Sequence, residues 1–468
     1  VDVNLFQSTT VAQLIDATTN APGTTLVDAL AEQGLVGIAI TGAGAGFAAV
    51  AGAIGVSSVN NTTIARISGT SDVNQDGSFS SNEQDVVVRS ESRIGGTGKK
   101  LLGANDNNII DSFTTGRGSG SGGLAGVATS IDIVTLRPRT LAEIGDGAMV
   151  SAARDVDIHA HTDLKVNANT FSFAIGAVAV NATVGVVTIG SGLDAEDSEA
   201  AIGESDDNGD TRQSVTEKQL RLFDKVLGIE SRAAAAAGDA FDADARSEGS
   251  KVLIGDEVVL NVGGDLNIES TTNLDLETLV GQGQGGLASF GGSVNYITTG
   301  LSANVEIDSA SLVSGINDSA GTMTMRAHNA ADLTGEAVAG AGGTVSIAAQ
   351  AAVIKDSSSE RIRLAEDAFL FGQQRLSMIA GRNQTINATA IGGQAGGFVA
   401  GAAIAQTDVT GSTIVDIGNN TTLNAANVVI GTDTNIVTDA VSRSVAVGGI
   451  TAAASDARSS ITPTIQTR

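Results

Sequence analysis

The amino-acid sequence predicts an all-β fold, an elongated β-solenoid (parallel β-helix) with repeats of about 53 residues and short helical insertions. Three observations support this prediction. A segment recurs along the chain, apolar and polar residues alternate within each copy, and the composition is rich in glycine and small apolar residues but poor in aromatic ones. The 468 residues suffice for several domains or for one long repeat array.

The recurring segment opens with an isoleucine, followed by glycine in the best copies. Clear copies begin at Ile144, Ile254 and Ile417. More degenerate copies begin at Ile307 and Ile362. The last four starts are therefore about 53 to 55 residues apart, within the range of repeat architectures. The first interval is twice as long, which one inserted segment of acidic and helical composition explains.

Within each copy, apolar residues alternate with polar ones, as at Val156, Ile158 and Ala160, and again at Phe171, Phe173 and Ile175. A period of two indicates strands with one buried face. Gly/Ala/Val runs such as 174–187 are apolar on both faces, which indicates strands covered on both sides or tightly stacked coils. With about five short strands per copy and no regular helix between them, the pattern favours a solenoid over a doubly wound sheet.

A string of separate β-sandwich domains is the rival architecture. A unit of about 53 residues is too short to bury two full sheets without aromatic residues or disulfides. Stacking each unit on its neighbours solves that problem.

Three stretches have helical composition, at 9–33, 216–246 and 359–374. In the second, Leu220, Phe223 and Val226 recur at helical spacing. The predicted organisation is a helical segment or insertion at 1–33, solenoid repeats at 34–193, an acidic helical insertion at 194–251 and further repeats at 252–468.

The charge and the composition exclude several classes of protein. The formal charge of −26 repels nucleic acids and anionic membrane surfaces. With no cysteine, the chain has neither disulfides nor a thiol nucleophile. The uncharged run Gly34–Ala65 is long enough to span a bilayer, but its glycines and its recurrence along the chain argue against a membrane span. So many carboxylates suit an extracellular setting with millimolar calcium, although solubility alone explains the charge equally well.

The sharpest local motif, at 72–83, satisfies the calcium-loop pattern D-x-[DN]-x-[DN]-G-x₅-E at every position. Calcium requires six to eight oxygen ligands, and the glycine of the pattern permits the sharp turn. We therefore predict a Ca²⁺ site in a loop that stiffens a connection, against the alternative of a chance match in an Asp/Asn/Gly-rich loop. The predicted ligands are Asp72, Asn74, Asp76, Ser78 and Glu83.

Catalytic patterns are weak in this sequence. It has no G-x-S-x-G elbow and only three histidines, so nucleophilic catalysis finds no support. His159 and His161 lie two apart on one strand face, with only Asp163 nearby as a third ligand, and are expected to be ordinary exposed histidines. The pair Asp155 and Asp157 could in principle act as acid and base on a polysaccharide, but we expect that the chain is not an enzyme.

With the repeats in view, the chain resembles the repetitive passenger regions of giant bacterial adhesins and filamentous haemagglutinin-like proteins. The resemblance covers most of 34–468 and depends on three features: the A-x-I-G start at Ala142–Gly145, the V-x-I-x-A strand at Val156–Ala160, and the glycine-rich runs at Gly335–Thr344 and Gly392–Ala402. It implies an exported β-helical shaft and carries over no catalytic residue.

The expected function is accordingly that of a shaft, fibre or sheath segment in a large secreted protein of the bacterial cell surface, acting in adhesion or in surface-layer or filament assembly. Self-association and a host or glycan target are the expected partners. A host- or glycan-binding adhesin domain and a β-helical polysaccharide-degrading enzyme are the alternatives. The opening VDVNLFQSTT has no signal-peptide pattern and is typical of the middle of a longer chain.

Overall fold

The protein is described here from a computed structural model, which covers residues 2–34, 37–77, 81, 83–95, 114–190, 248–316 and 321–468. These residues form 24 β-strands in a single sheet, and every strand pairing is parallel. The structure confirms the predicted all-β parallel solenoid.

The strands are β1 (Asp2–Ile15), β2 (Thr18–Thr19), β3 (Thr25–Gly34), β4 (Gly37–Ala45), β5 (Ala48–Ser68), β6 (Asp72–Val73), β7 (Val86–Gly95), β8 (Thr114–Gly122), β9 (Ala125–Ile144), β10 (Met149–Ala152), β11 (Val156–Ile175), β12 (Val178–Ile189), β13 (Gly249–Ile254), β14 (Val259–Val262), β15 (Leu266–Gly285), β16 (Ala288–Thr299), β17 (Ser302–Ile307), β18 (Ser311–Ser314), β19 (Thr322–Asp356), β20 (Ser359–Leu364), β21 (Phe369–Val409), β22 (Ser412–Ile417), β23 (Thr422–Ile461) and β24 (Thr464–Thr467).

One turn of the solenoid, which we call a rung, is a flattened loop. In the rung that begins at β13, the chain closes one end through β14, runs outward along β15, turns, and returns along β16 to the first strand of the next rung. The buried side chains form two main clusters, one at the closed end around Ile268 and one in the middle around Leu276. Beyond the middle cluster the two layers narrow to small residues such as Ala339 and Ala348.

The rungs stack in register across the predicted insertion. Val156 pairs with Leu266, so the rungs before and after the gap are direct neighbours. Gly249 already pairs with Arg139, and residues 249–251, which the sequence assigned to the insertion, therefore lie in the solenoid. The helix predicted within 216–246 lies outside the described residues.

Ile158, which the alternation predicts on the buried face, belongs to a column of core residues. Ile158, Ile268 and Met325 are partners in adjacent rungs and all are buried. Met378 continues the column, and Ile430 follows it, partly buried in the last described rung. A column of apolar side chains at one register position is what stabilises such a stack, because each rung covers the face of its neighbour.

The helices predicted at 9–33 and at 359–374 are wrong. The first stretch forms β1 and β3, in which Val27, Ala29 and Ala31 are buried at period two. The second forms β20 and the start of β21. Alanine, leucine and glutamate favour helix in isolation, but pairing with the neighbouring rungs decides the conformation here.

The described part of the chain contains no helix long and apolar enough to cross a membrane. Within the apolar run at 34–65, residues 37–45 form β4 and residues 48–65 belong to β5.

The recurring Ile-Gly motif marks a turn at the closed end of the rung. Positive φ angles recur at one position after it, 73° at Gly147, 57° at Glu257 and 58° at Asn420. An aspartate in this turn accepts a backbone hydrogen bond from the next rung: Asp146 Oδ1 lies 2.9 Å from the Asp256 nitrogen. The motif is thus a device for stacking one turn on the next.

Candidate functional site

The predicted calcium loop lies against the preceding rung. Asp72 is in strand β6, where its backbone pairs with Thr18 and Met149. Asn74 is buried with a φ of 56°, and its Oδ1 accepts a hydrogen bond from the Ala21 nitrogen at 3.0 Å. That oxygen already holds two rungs together, so coordination of a cation by Asn74 would have to replace this contact.

The remaining predicted ligands are only partly described. Asp76 is exposed, and its N–H donates to Asn20 Oδ1 at 2.9 Å. Glu83 is also exposed, with its N–H 3.2 Å from Ser81 Oγ. Ser78 lies outside the described residues. In the described segments, no three His, Cys, Asp or Glu side chains lie close enough together to hold a metal ion.

Asp155, half of the carboxylate pair considered from the sequence, belongs to a structural ladder. Its Oδ1 accepts a hydrogen bond from the Asp265 nitrogen at 2.9 Å, and Asp265 Oδ1 in turn accepts one from the Thr322 nitrogen at 2.7 Å. Asp85 Oδ1 accepts a hydrogen bond from the Asp155 nitrogen at 3.2 Å. Each carboxylate thus connects one rung to the next through a hydrogen bond.

Asp157, the other half of the pair, is stabilised as an anion. Its neighbour His159 and the Asn267 amide, which donates at 2.9 Å, keep the pKa of Asp157 below its usual value despite partial burial. A general acid needs a raised pKa, so this carboxyl is poorly suited to that role.

The histidines lie on the outer surface of the strands, as expected. His159 Nε2 lies 3.8 Å from Asp157 Oδ1, and His159 Nδ1 lies 3.7 Å from Glu269 Oε2. His161 pairs with Thr271, which pairs with His328, so the two histidines share one column with a rung between them. Burial lowers the pKa of His328.

A seam of inward-facing polar residues separates the two main clusters of the core. In one rung Thr162 Oγ1 donates to Thr140 Oγ1 at 2.8 Å, and in the next Ser250 and Thr272 bring their hydroxyl oxygens to 2.8 Å. Buried hydroxyls satisfied in this way carry little energetic cost.

In a later rung the same seam holds a buried cluster of charges. Two rungs after Thr272 and Ser250, the same register positions are occupied by Arg382 and Glu360 respectively. Both side chains are 0% exposed. Arg382 Nε donates to Glu360 Oε2 at 2.9 Å, and Nη1 donates to the Thr410 carbonyl at 2.9 Å.

Two more groups complete this cluster. Arg382 Nη2 donates to the Ser358 carbonyl, and Nη1 lies 3.9 Å from Asp356 Oδ2. Burial raises the pKa of Glu360 to about 7, against the opposing effect of Arg382. Glu360 Oε1 and Asp356 Oδ2 accept no hydrogen bond, and the cluster is closed to solvent, so it has no exposed face for a substrate.

A second buried carboxylate lies near the gap at 191–247. Glu248 is buried, with Arg139 Nη2 at 3.5 Å and Arg137 Nε at 3.9 Å from its Oε1. Burial raises its pKa to about 7, and the two arginines only partly oppose this effect.

The narrow end of every rung forms a nearly uncharged edge, which we call the apolar rim. It comprises residues 38–50, 117–131, 171–184, 281–294, 338–351, 391–404 and 443–456, among which Arg117, Arg443 and Asp456 are the only charged residues. The two layers approach so closely that a Cβ at Gly118 or Gly120 would overlap a carbonyl oxygen of the facing strand. The edge is thin because glycine, alanine and serine fill its interior.

Large apolar side chains remain exposed on both outer surfaces of the apolar rim. On the outgoing strands Phe173 is 56% and Ile175 60% exposed. On the returning strands Val178, Phe290 and Ile347 are exposed. Contiguous exposed apolar surface of this kind marks a site of interaction rather than ordinary surface.

Comparison of the chain with family models, curated proteins and solved structures finds no match. Function must therefore be inferred from the geometry.

Sequence reasoning did not identify the buried charges or the exposed faces of the apolar rim. Aligning the copies by register would have revealed the charges, since Glu360 and Arg382 fall in columns that hold small uncharged residues in other rungs, Ser250 and Ala303 in one and Thr272 and Asn329 in the other.

Proposed function

We propose that this chain is a structural segment of a large secreted bacterial surface protein, serving as a shaft, fibre or sheath in adhesion or surface assembly. The observation that carries the proposal is the unbroken parallel pairing of adjacent rungs from β1 to β24, which persists across the gap at 191–247.

Several features of the described residues support a mechanical role. The carboxylates singled out as catalytic candidates are engaged in contacts between rungs or ion pairs. The charged cluster at Arg382 is enclosed, and the turn motif repeats as a stacking element. These contacts add up along the axis, because the stability of a repeat array is a sum of rung and interface terms.

The resemblance of the sequence repeats to the passenger regions of giant adhesins supports this role, and we propose that the chain lies outside the cell. Antibodies against residues 1–468 should then label intact cells that make the protein, and should do so without permeabilisation. Labelling that requires permeabilisation would contradict the extracellular placement.

The structural role itself can be tested by deleting one rung. Ser359 pairs with Ser412, so removal of residues 359–411 joins equivalent positions and excises Glu360 together with Arg382. For a spacer we expect a folded protein whose surface function is retained with a slightly shorter reach. Complete loss of adhesion by a deletion variant that still folds would favour a binding site in that rung instead.

A further inference from the structure

We propose that the outgoing-strand face of the apolar rim is a docking surface for a second copy of this chain. The inference rests on the proposed structural function and specifies the surface through which copies associate side by side.

Large and small outward residues follow one another along this face in an order that lets two copies of the face fit together. One outward column reads, from the first described rung to the last, Gly42, Ser119, Phe173, Gly283, Gly340, Gly393 and Val445. The next outward column reads Gly44, Ser121, Ile175, Gly285, Gly342, Ala395 and Val447. Each column has a raised third rung, a flat stretch of glycine or alanine, and a raised last rung.

The flat stretch is open to the outside. A Cβ at Gly342 or Gly393 would meet no atom within 4 Å, and one at Gly340 would only reach a carbonyl oxygen at 3.9 Å. In the fourth rung the Phe173 ring leans over Gly283, where a Cβ would lie 2.7 Å from it. The bare backbone of the fifth and sixth rungs therefore forms a shallow trough beside the aromatic ridge.

A two-fold axis parallel to the strands, passing between the fourth and fifth rungs, brings the ridge of each copy into the trough of the other. The backbone of Phe173 then lies opposite Gly393 of the second copy, and its ring, which leans over the fourth rung, lies opposite Gly340. The same operation places Val445 opposite Ser119. An isologous contact of this kind is closed and self-complementary.

The repeat distance favours an identical chain as partner. Outward side chains recur every rung, at about 4.8 Å. A second copy has the same spacing, so ridges and hollows stay matched along the whole face, as in the dry interfaces between stacked sheets.

Area and charge agree with this partner. Six facing strands at about 4.8 Å and about seven residues of each strand give a contact of roughly 29 by 23 Å. That lies within the about 600–1,000 Å² per partner of a standard-size interface. The chain carries a charge of −26, and the nearly uncharged rim is where two copies can meet without opposing carboxylates.

A lipid surface fits these observations less well. Interfacial segments carry Trp, Tyr and basic residues, whereas this chain has no Trp, one Tyr, and two arginines in the whole rim. Binding of the chain to lipid vesicles through this face would therefore contradict the proposal.

The test is sedimentation of the 1–468 chain over a concentration series at two salt concentrations. We expect reversible dimers whose association constant increases with NaCl, because salt screens the repulsion between two anionic chains. Phe173→Ala removes the ridge and Gly393→Val fills the trough, and each should weaken association at least tenfold.

Matched controls separate this face from general effects on folding. Gly431→Val is the same substitution at an outward strand position outside the rim, where a Cβ also meets nothing within 4 Å. Phe290→Ala removes an aromatic ring from the opposite face of the rim. Both should associate within threefold of the unmodified chain, and all four variants should keep its far-ultraviolet circular dichroism.

Three results would overturn the proposal: a monomer at all concentrations up to about 100 μM, equal weakening by Gly431→Val, or co-sedimentation with phosphatidylcholine vesicles that Phe173→Ala abolishes. None of these would disturb the structural role, which surface labelling and rung deletion test separately.

Discussion

Replacing Arg382 by methionine should destabilise the protein at both pH 5 and pH 8, and more at pH 8. The substitution removes the guanidinium that contacts Glu360, Thr410 and Ser358 while filling most of its volume. Glu360, which is fully buried, is then left without its cation. Removing one partner of a buried ion pair typically costs about 3–5 kcal/mol.

The pH dependence follows from the carboxyl group. Keeping Glu360 protonated at pH 8, against an unfolded pKa of 4.5, costs about 1.36 × (8 − 4.5), or roughly 5 kcal/mol, which caps the charge-related loss. At pH 5 the same expression gives less than about 1 kcal/mol. In the parent, where the pKa of Glu360 is about 7, burial of this carboxyl already costs about 1.36 × (7 − 4.5), or roughly 3.4 kcal/mol, at pH 8. The difference in unfolding free energy between variant and parent should therefore shrink by about 1 to 1.5 kcal/mol on acidification.

Urea unfolding of the full chain, followed by circular dichroism at the two pH values, measures this difference. Hydrogen exchange of peptides from 356–413 should show that the loss is local, because neighbouring rungs of a solenoid are coupled but distant ones are not. The double variant Arg382→Met/Glu360→Leu should recover most of the stability. An equal loss at pH 5 and pH 8, or no recovery in the double variant, would refute the assignment of a buried charge pair.

Three further predictions follow from other parts of the chain. Ile268→Asp places an unpaired charge in the core column and should cost several kcal/mol, whereas a neutral result in urea unfolding would mean that the register is misassigned. Glu248→Gln should flatten the pH profile of stability. Because burial raises the pKa of Glu248 to about 7, the contribution of this carboxyl to the unfolding free energy is full below pH 4.5 and is lost as the pH rises through 7. A thermal-unfolding profile that the substitution leaves unchanged would count against this. Calcium, but not sodium, should protect 71–84 from proteolysis, Glu83→Gln should abolish that protection, and calorimetry without millimolar calcium uptake would reduce the motif to a chance match.

The repeat positions and the core column could be predicted from the sequence because they depend on local patterns. Ile158, Ile268 and Met325 stand at one place in an alternating strand, and the register of the stack repeats it. The position of the insertion followed from the doubled first interval between copies.

The predictions that were wrong concerned features that depend on contacts between rungs. The stretch containing Glu360 was predicted as helix because its composition favours helix, and nothing local shows that Glu360 faces Arg382 across the seam. The glycine-rich runs were interpreted as strands covered on both sides or as tightly stacked coils. The structure buries the inner side of these runs. It also leaves Phe173 and Ile175, which the alternation predicts on the buried face, exposed on the outer one.

The predicted calcium loop depends on both the local sequence and contacts between rungs. Its spacing is fully visible in the sequence, but the contact of Asn74 with Ala21 depends on the preceding rung and could not be anticipated. Calcium binding at 72–83 stays a prediction.

The central claim is that the rungs form one in-register parallel stack, continuous across 191–247, and spin labels test it most directly. The chain has no cysteine, so labels can be placed at will, and Lys165, Asp275, Asp332 and Thr385 occupy one exposed column. Labels at 165 and 275 should lie one rung apart, about 4.8 Å between backbones, and broaden each other's spectra strongly. Labels at 165 and 385, three rungs or about 14 Å apart, should interact weakly. Equal spectra for the two pairs, or no broadening between 165 and 275, would contradict the stack.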